Sequence, residues 1–448
     1  MDITVFTYKY LFMTPKMHTR HLLLSLLFMT FCIQKHGFSQ YSTSNSVYQK
    51  DIKTVLLYPF AGSLTAPART LSPPIRQLND NQPLILEFDD LAADYSQYHV
   101  KIKHCTADWE FSVLNEIEYL DDFNDFIIND YEVSQNTKTP YYHYIFKVPE
   151  VKISGNYVLV VSKDSDRGEP VLVKRFMVYE PFASTTTQVI RPQDSEYWRT
   201  HQQIDFEVSY GNYSVRSARE EFKIVIRQNY QWSQTIKDLR PMTDNASTRK
   251  LFFRFFNNEN VMLAGNEFNF FDGRSTYNRG LGIAEIEQGR TDTFWLNTQQ
   301  KGSKVNFVEQ RDYNGQFVIE NRQNQNPSFS NDYVWVNFSV ASPLLLDKEI
   351  YVVGEFNQWQ LTEENLLKFN SREAIYEARK LMKLGVYDYR FVVKDIITNN
   401  ADYTYFSGNF TDTENVYELF IYHQPPTARA EKLIGYQVVN SRGFQNRD

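Results

Sequence analysis

His99-Val100-Lys101-Ile102-Lys103-His104 alternates strictly, with Val100 and Ile102 on one side and Lys101 and Lys103 on the other. Successive side chains of a strand point to opposite faces, so this stretch predicts a strand with one apolar and one wet face. The same period returns in Asp205-Phe206-Glu207-Val208-Ser209-Tyr210, and again where Phe222, Ile224 and Ile226 oppose Lys223 and Arg227. Apolar spacing of the helical kind is scarce. Antiparallel sheets that bury one face pair off, and the fold class read from the chain is all-β, with tandem antiparallel β-sandwich domains of the immunoglobulin-like kind.

Outward from these strands, two breaks divide the chain. The first is Glu180-Pro181 with the Ser/Thr run Ser184 to Thr187, and the second is the polar stretch Asn321 to Pro327, which has little to bury. They predict an N-terminal sandwich over residues 40–182, a second over 183–326 and a third over 327–426. Residues 427–448 follow Pro425-Pro426 without a sustained pattern and are expected to be a flexible or partner-ordered tail. A transmembrane β-barrel is the rival all-β reading. Short strands, Pro-rich linkers and two composition breaks argue against its regular apolar-out strands of about 10 residues.

At the N-terminus Lys16, His18, Arg20 and His21 precede the apolar run Leu22 to Ile33, which gives way to Gly37-Phe38-Ser39-Gln40. This order predicts a secretory signal peptide over residues 1–39, with residues 1–16 an upstream extension ahead of Met17. The run falls short of the roughly 20 residues a spanning helix needs. Cys32 reads as an ordinary apolar residue of that peptide, because Phe31 is too large for a lipid-acceptor context. Cys105 then stands alone, and a lone cysteine makes no internal disulfide. The formal charge of −7 carries no dense Lys/Arg block, which excludes the footprint of a nucleic-acid binder. The 34 Phe and 30 Tyr instead suit pleated, half-buried surfaces that meet other proteins.

A catalytic constellation is not legible. His99 and His104, five apart in an alternating strand, face opposite ways and share no metal. In His104-Cys105-Thr106-Ala107-Asp108 the thiol and imidazole also point apart, which favours a buried free cysteine beside a structural histidine over a nucleophile with its base. Acidic pairs such as Asp89-Asp90, Asp121-Asp122 and Glu363-Glu364 lack the pattern of a calcium loop, and no Gly-x-Ser-x-Gly elbow, phosphate-cradling loop or His-Glu-x-x-His is present. The expectation is a protein that is not an enzyme, with no catalytic residue, metal or cofactor.

Several motifs carry a resemblance. They are Leu84-Ile85-Leu86-Glu87-Phe88-Asp89-Asp90-Leu91, His104-Cys105-Thr106-Ala107-Asp108-Trp109, Asp130-Tyr131-Glu132-Val133-Ser134 with Asn136-Thr137, Ser154-Gly155-Asn156-Tyr157, and Ala264-Gly265-Asn266-Glu267-Phe268 with Phe271-Asp272-Gly273-Arg274-Ser275. With them, the region from about Ile52 to Phe294 resembles the plug proteins of type 9 secretion, a family of the phylum Bacteroidetes. That resemblance implies a periplasmic protein, peripheral to the outer membrane, whose partner is the large outer-membrane β-barrel translocon that it occludes. The polar cluster Asn266, Glu267, Asp272 and Arg274, set around Phe268 and Phe271, is the candidate partner-contact loop. Its alternative is a hairpin tied by a local Arg–carboxylate pair.

The third unit resembles a glycogen-binding, immunoglobulin-like module, through Tyr351-Val352-Val353-Gly354-Glu355-Phe356-Asn357-Gln358-Trp359, Gly385 to Asp395 and Glu414-Asn415-Val416-Tyr417. In that resemblance Trp359 matches a sugar-stacking position, while Arg390 and Asn415 match sugar-contacting ones. Ile396, Ile397 and Thr398 stand where a second stacking tryptophan is expected. An envelope glycan-binding protein is therefore the alternative function, with Trp359 as a packing residue the alternative role.

Overall fold

A computed structural model of the chain describes residues 42–60, 62, 71–163, 169–301, 307–323 and 326–442. The expected signal peptide and Cys32 lie outside them. Strand His99–Cys105 pairs antiparallel with Gly155–Ser162, which pairs in turn with Pro170–Tyr179. Ser46–Val47 and Phe126–Ile127 finish this sheet, and Ile75–Gln77 runs parallel to Pro170–Tyr179. A second sheet of Ile52–Pro59, Leu84–Asp90, Tyr142–Lys147 and Asp130–Val133 covers it. The side chains that the alternation aimed inward, Val100 and Ile102, meet Leu86, Phe88, Tyr157 and Leu159 in the core between.

The second sandwich sets Ser184–Ile190, His201–Ser209, Lys250–Phe253 and Thr243–Asn245 against Gln231–Ile236, Phe222–Gln228, Val416–His423 and Lys432–Asn440. Phe206, Val208, Ile224, Leu419 and Ile434 fill its core. Its strands cross the boundary expected after residue 326, since Phe222 pairs with His423 and Gln228 with Tyr417. A polar linker reports where backbone is solvated, and it is silent on which strands pair. The expected tail is also corrected. Strand Lys432–Asn440 runs along Val416–His423 with Leu433 and Ile434 fully buried.

In the third sandwich Gly385–Asp395 collects Asn269–Asp272, Phe317–Ile319 and Lys348–Val353. The opposing sheet holds Ile283–Glu287, Thr293–Leu296, Tyr333–Ala341, Ile375–Lys383 and Lys368–Asn370. Phe271, Phe338, Val352, Tyr387 and Phe391 form its core, which Leu56, Tyr58 and Ile85 of the first sandwich also enter. Leu84–Asp90 is consequently buried on both faces: Leu86 and Phe88 turn to their own core, Ile85 to the neighbour's. Among the described residues no helix is long and apolar enough to cross a membrane.

Candidate functional site

Where the first and third sandwiches meet, the alternation of Leu84–Asp90 drives Asp89 inward with Ile85. An isolated carboxylate there would be costly, and the structure surrounds it with partners. Lys383 Nζ donates to Asp89 Oδ2 at 2.7 Å, the Tyr333 hydroxyl donates to the same oxygen at 2.5 Å, and His143 Nδ1 lies 2.7 Å from Oδ1. Lys383 also sits over the Tyr141 ring, 4.2 Å from its centre. Burial alone would raise the Asp89 carboxyl, but the charge of Lys383 and the hydrogen bond with His143 more than reverse this and hold it below the usual range.

The seam between the first and second sandwiches is aromatic and cationic. Trp109 turns back at φ 65° and meets Trp232 edge-on at 4.8 Å. The Arg175 guanidinium lies 4.3 Å from Trp109 and that of Arg227 4.2 Å from Trp232. Arg227, expected on a wet face, is buried in a bidentate pair with Glu418 at 2.6 and 2.7 Å. Asp108 of the same turn pairs with Lys223, and Asn156 takes a hydrogen bond from the Tyr422 hydroxyl at 3.0 Å. Gly155, at φ 150°, leaves room for the His104 ring, whose Nε2 a Cβ would approach to 2.5 Å. The motifs that carried the family resemblance are thus largely the joints between sandwiches.

The candidate contact loop has the same character. After strand Val261–Leu263 the chain leaves the second sandwich and enters the third as Asn269–Asp272. Asn266 donates to Ser407 O at 2.6 Å, Glu267 accepts from Arg442 at 2.9 Å, and the Phe268 N–H donates to Asp312 at 2.6 Å. Phe271 stacks on Tyr387 at 5.2 Å. These four side chains are buried, and Asp272 nearly so. Burial, with the charge of Asp312 beside it, pushes Glu267 up to about 7, against the pull of Arg442. At the segment's outer end Arg274 donates from Nε and Nη2 to Asp272, both at 2.8 Å, and from Nη1 to Glu320 at 2.8 Å. The Arg–carboxylate pair is local, but it does not tie a hairpin, since Asn269–Asp272 pairs with the distant strand Gly385–Asp395.

What the segment presents outward is its continuation. Tyr277 and Leu281 are 75% and 69% exposed. Leu281, Arg274, Arg279 and Arg322 line a shallow concavity of about 690 Å³, and Tyr277 lies in the loop between Arg274 and Arg279. Sequence reading passed over Tyr277, Arg279 and Leu281 because no periodic pattern marks a loop. Tyr277 and Leu281 interleaved with Arg274 and Arg279 were the available signal.

The three sugar-binding candidates do not form one exposed face. Trp359 is half-buried, donates from Nε1 to Glu355 at 3.1 Å and meets Phe268 edge-on at 5.7 Å. Arg390 is buried, its guanidinium 4.1 Å from the Phe268 ring centre and donating to Asn266 O at 2.6 Å. Trp359 and Arg390 therefore converge with the contact-loop candidates on a single internal stack. Asn415 lies apart, its amide donating to Gln202 at 3.1 Å and to Ala264 O at 2.9 Å while accepting from Asn229 at 2.7 Å.

His104 and Cys105 point to opposite sides of their strand, as alternation requires. Burial lowers the His104 imidazole to about 4 and pushes the Cys105 thiol up to about 12, so at neutral pH the one is uncharged and the other is no thiolate. Among the described residues no group of three or more His, Cys, Asp or Glu is placed to hold a metal ion.

Fold and joints together define a class: a multi-sandwich protein whose polar and aromatic residues of note are spent on locking one sandwich to the next. Residues 52–180 match the family model described as Type 9 secretion system plug protein 1st domain, so the resemblance to the plug family is shown over the first sandwich and suggests involvement in type 9 secretion. A solved structure, of a hypothetical protein from Parabacteroides merdae, is similar at 27% identity and a TM-score of 0.83, over 90% of this chain and 100% of that one. No curated protein matches.

Proposed function

We propose that the chain is a periplasmic plug or accessory subunit of the type 9 translocon, which binds the periplasmic opening of the outer-membrane barrel and acts by occlusion. The observation that carries this reading is the family match of residues 52–180 to a plug domain. Rigidity supports it: a stopper must hold its shape, and here the first and third sandwiches are bound by the buried Lys383–Asp89 ion pair and a shared apolar core. The exposed Tyr277, Arg279 and Leu281 surface offers the residue types that anchor protein interfaces. Export to the periplasm follows from the expected signal peptide. The internal placement of Arg390 and Asn415 does not favour glycan binding.

Affinity isolation of the native chain from detergent-solubilised outer membranes tests the proposal. A large β-barrel protein should accompany it, and deletion of the gene should leave the membrane abnormally permeable to large solutes. Purification of the chain alone, together with unchanged permeability, would sink the reading.

A further inference from the structure

A second concavity, of about 300 Å³, lies between the first and third sandwiches, and nothing in the plug reading uses it. It is bordered by strand Ile52–Pro59 on one side and Ile375–Lys383 on the other. The first of these strands is not regular. Its register with Leu84–Asp90 shifts between Lys53 and Leu56, and Thr54 within that bulge takes φ 51°, a conformation costly for a β-branched residue. Bulges re-aim side chains, and this one puts Lys53 on the wall of the cleft. From the opposite strand Lys380 reaches the same cleft, its ammonium donating to Asn365 Oδ1 at 2.5 Å and to Glu364 O at 2.8 Å.

Three lysines, Lys53, Lys380 and Lys383, and one carboxylate, Glu364, line the cleft, which leaves positive charge in excess. Lys383, the third lysine of the wall, is already committed to Asp89. Lys53 makes no hydrogen bond or ion pair within reach among the described residues. Around the two cations stand side-chain amides, such as Gln360 and Asn357, and the aromatic rings of Tyr48 and Phe356.

We propose that this cleft binds a small organic carboxylate, its charge held by Lys53 and Lys380 and its body against the amide and aromatic wall. A pocket of this size, mostly apolar with a few convergent polar groups, is the usual form of a small-ligand site. Burial holds both ammonium groups below the usual lysine range, Lys380 at about 8, and Glu364 is the carboxylate whose charge opposes this at both. A ligand anion supplies the charge that is missing. The carboxylate can belong to a free peptide C-terminus or to an acidic sugar, and the two are separable by experiment.

Purified mature protein is titrated calorimetrically, at low salt, with an acetylated tripeptide acid, the same tripeptide amide, sodium glucuronate and sodium sulfate. Saturable binding of the acid or of glucuronate at millimolar Kd or tighter is expected, with the amide inert. Binding of the acid alone identifies a chain terminus as the source, and binding of glucuronate alone an acidic sugar. Lys53→Met and Lys380→Met should each weaken it at least about tenfold, Lys53→Arg should retain it, and Lys348→Met, remote from the cleft, should leave it unchanged. Absence of saturation by any carboxylate up to about 10 mM, or sulfate binding as tightly as carboxylate, overturns the proposal. Either result is independent of co-purification with a barrel, so the plug reading stands or falls separately.

Discussion

Replacing Lys383 with Met leaves the Asp89 carboxylate buried without its cation. Removing one member of a buried ion pair costs roughly 3–5 kcal/mol, because the remaining charge keeps its desolvation penalty. Tyr333 and His143 still bond to Asp89, which places the loss toward the lower end. For a unit of this size that corresponds to a fall in Tm on the order of 5–10 °C. The double variant Asp89→Asn, Lys383→Met removes both charges while its amide oxygen can still accept from Tyr333, so it should lose less than Lys383→Met alone. Calorimetry at pH 7 and at pH 4 reads both effects. Asp89 has a depressed pKa in the folded state, so its stabilising contribution is present above the ordinary carboxylate pKa and fades as pH falls through the folded value. In Lys383→Met burial is left to raise the Asp89 carboxyl instead, so the variant takes up a proton and recovers stability as pH falls, and its gap to wild type should narrow toward pH 4. Additive losses in the double variant, or a gap indifferent to pH, would refute the idea that this ion pair couples the two sandwiches.

Three further outcomes are expected. Cys105→Ala should leave partner co-purification intact, and the native thiol should resist maleimide until the protein unfolds, as a buried group pushed up to about 12 must. Trp359→Ala should lower Tm by a few degrees through lost contact with Phe268, costing about 2–3 kcal/mol, and retention of wild-type protein on a glucan column would contradict that packing role. Glu267, raised to about 7 by burial and by Asp312, binds its proton more tightly folded than unfolded, so the native chain should lose stability from about pH 5 to pH 7, and Glu267→Gln should gain relative to it across that window by urea titration.

Much of the fold was legible because alternation is local. Val100 and Ile102, or Phe206 and Val208, announce their inward face within six residues, and the structure buries all four. Arg227 shows the limit. A guanidinium opposite apolar neighbours reads as wet, yet Glu418, far along the chain, buries it. The strands Leu84–Asp90, Gly155–Ser162 and Val416–His423 are buried throughout for the same reason: a second layer covers the face that a lone sandwich would leave to water. The candidate site suffered likewise. Asn266, Glu267 and Arg390 are polar, and a polar cluster among aromatics looks like a contact surface until partners from other strands, such as Ser407, Arg442 and Phe268, are brought to it. Pairing between distant segments leaves no trace in local periodicity.

The strands Val416–His423 and Lys432–Asn440 complete a sheet begun by Phe222–Gln228, and the body of the third sandwich is threaded between them in the chain. This imposes an order of events on a polypeptide that emerges N-terminus first. The first sandwich can close as soon as residue 179 is available, but the second must wait, with Ile224 and Ile226 uncovered, until almost the whole chain has arrived. Folding then runs from the inside out: the inserted sandwich matures first and brings the two late strands home. Such distant pairing is slow and leaves apolar strand edges open meanwhile, so the newly made chain passes through a period in which a holdase has something to hold.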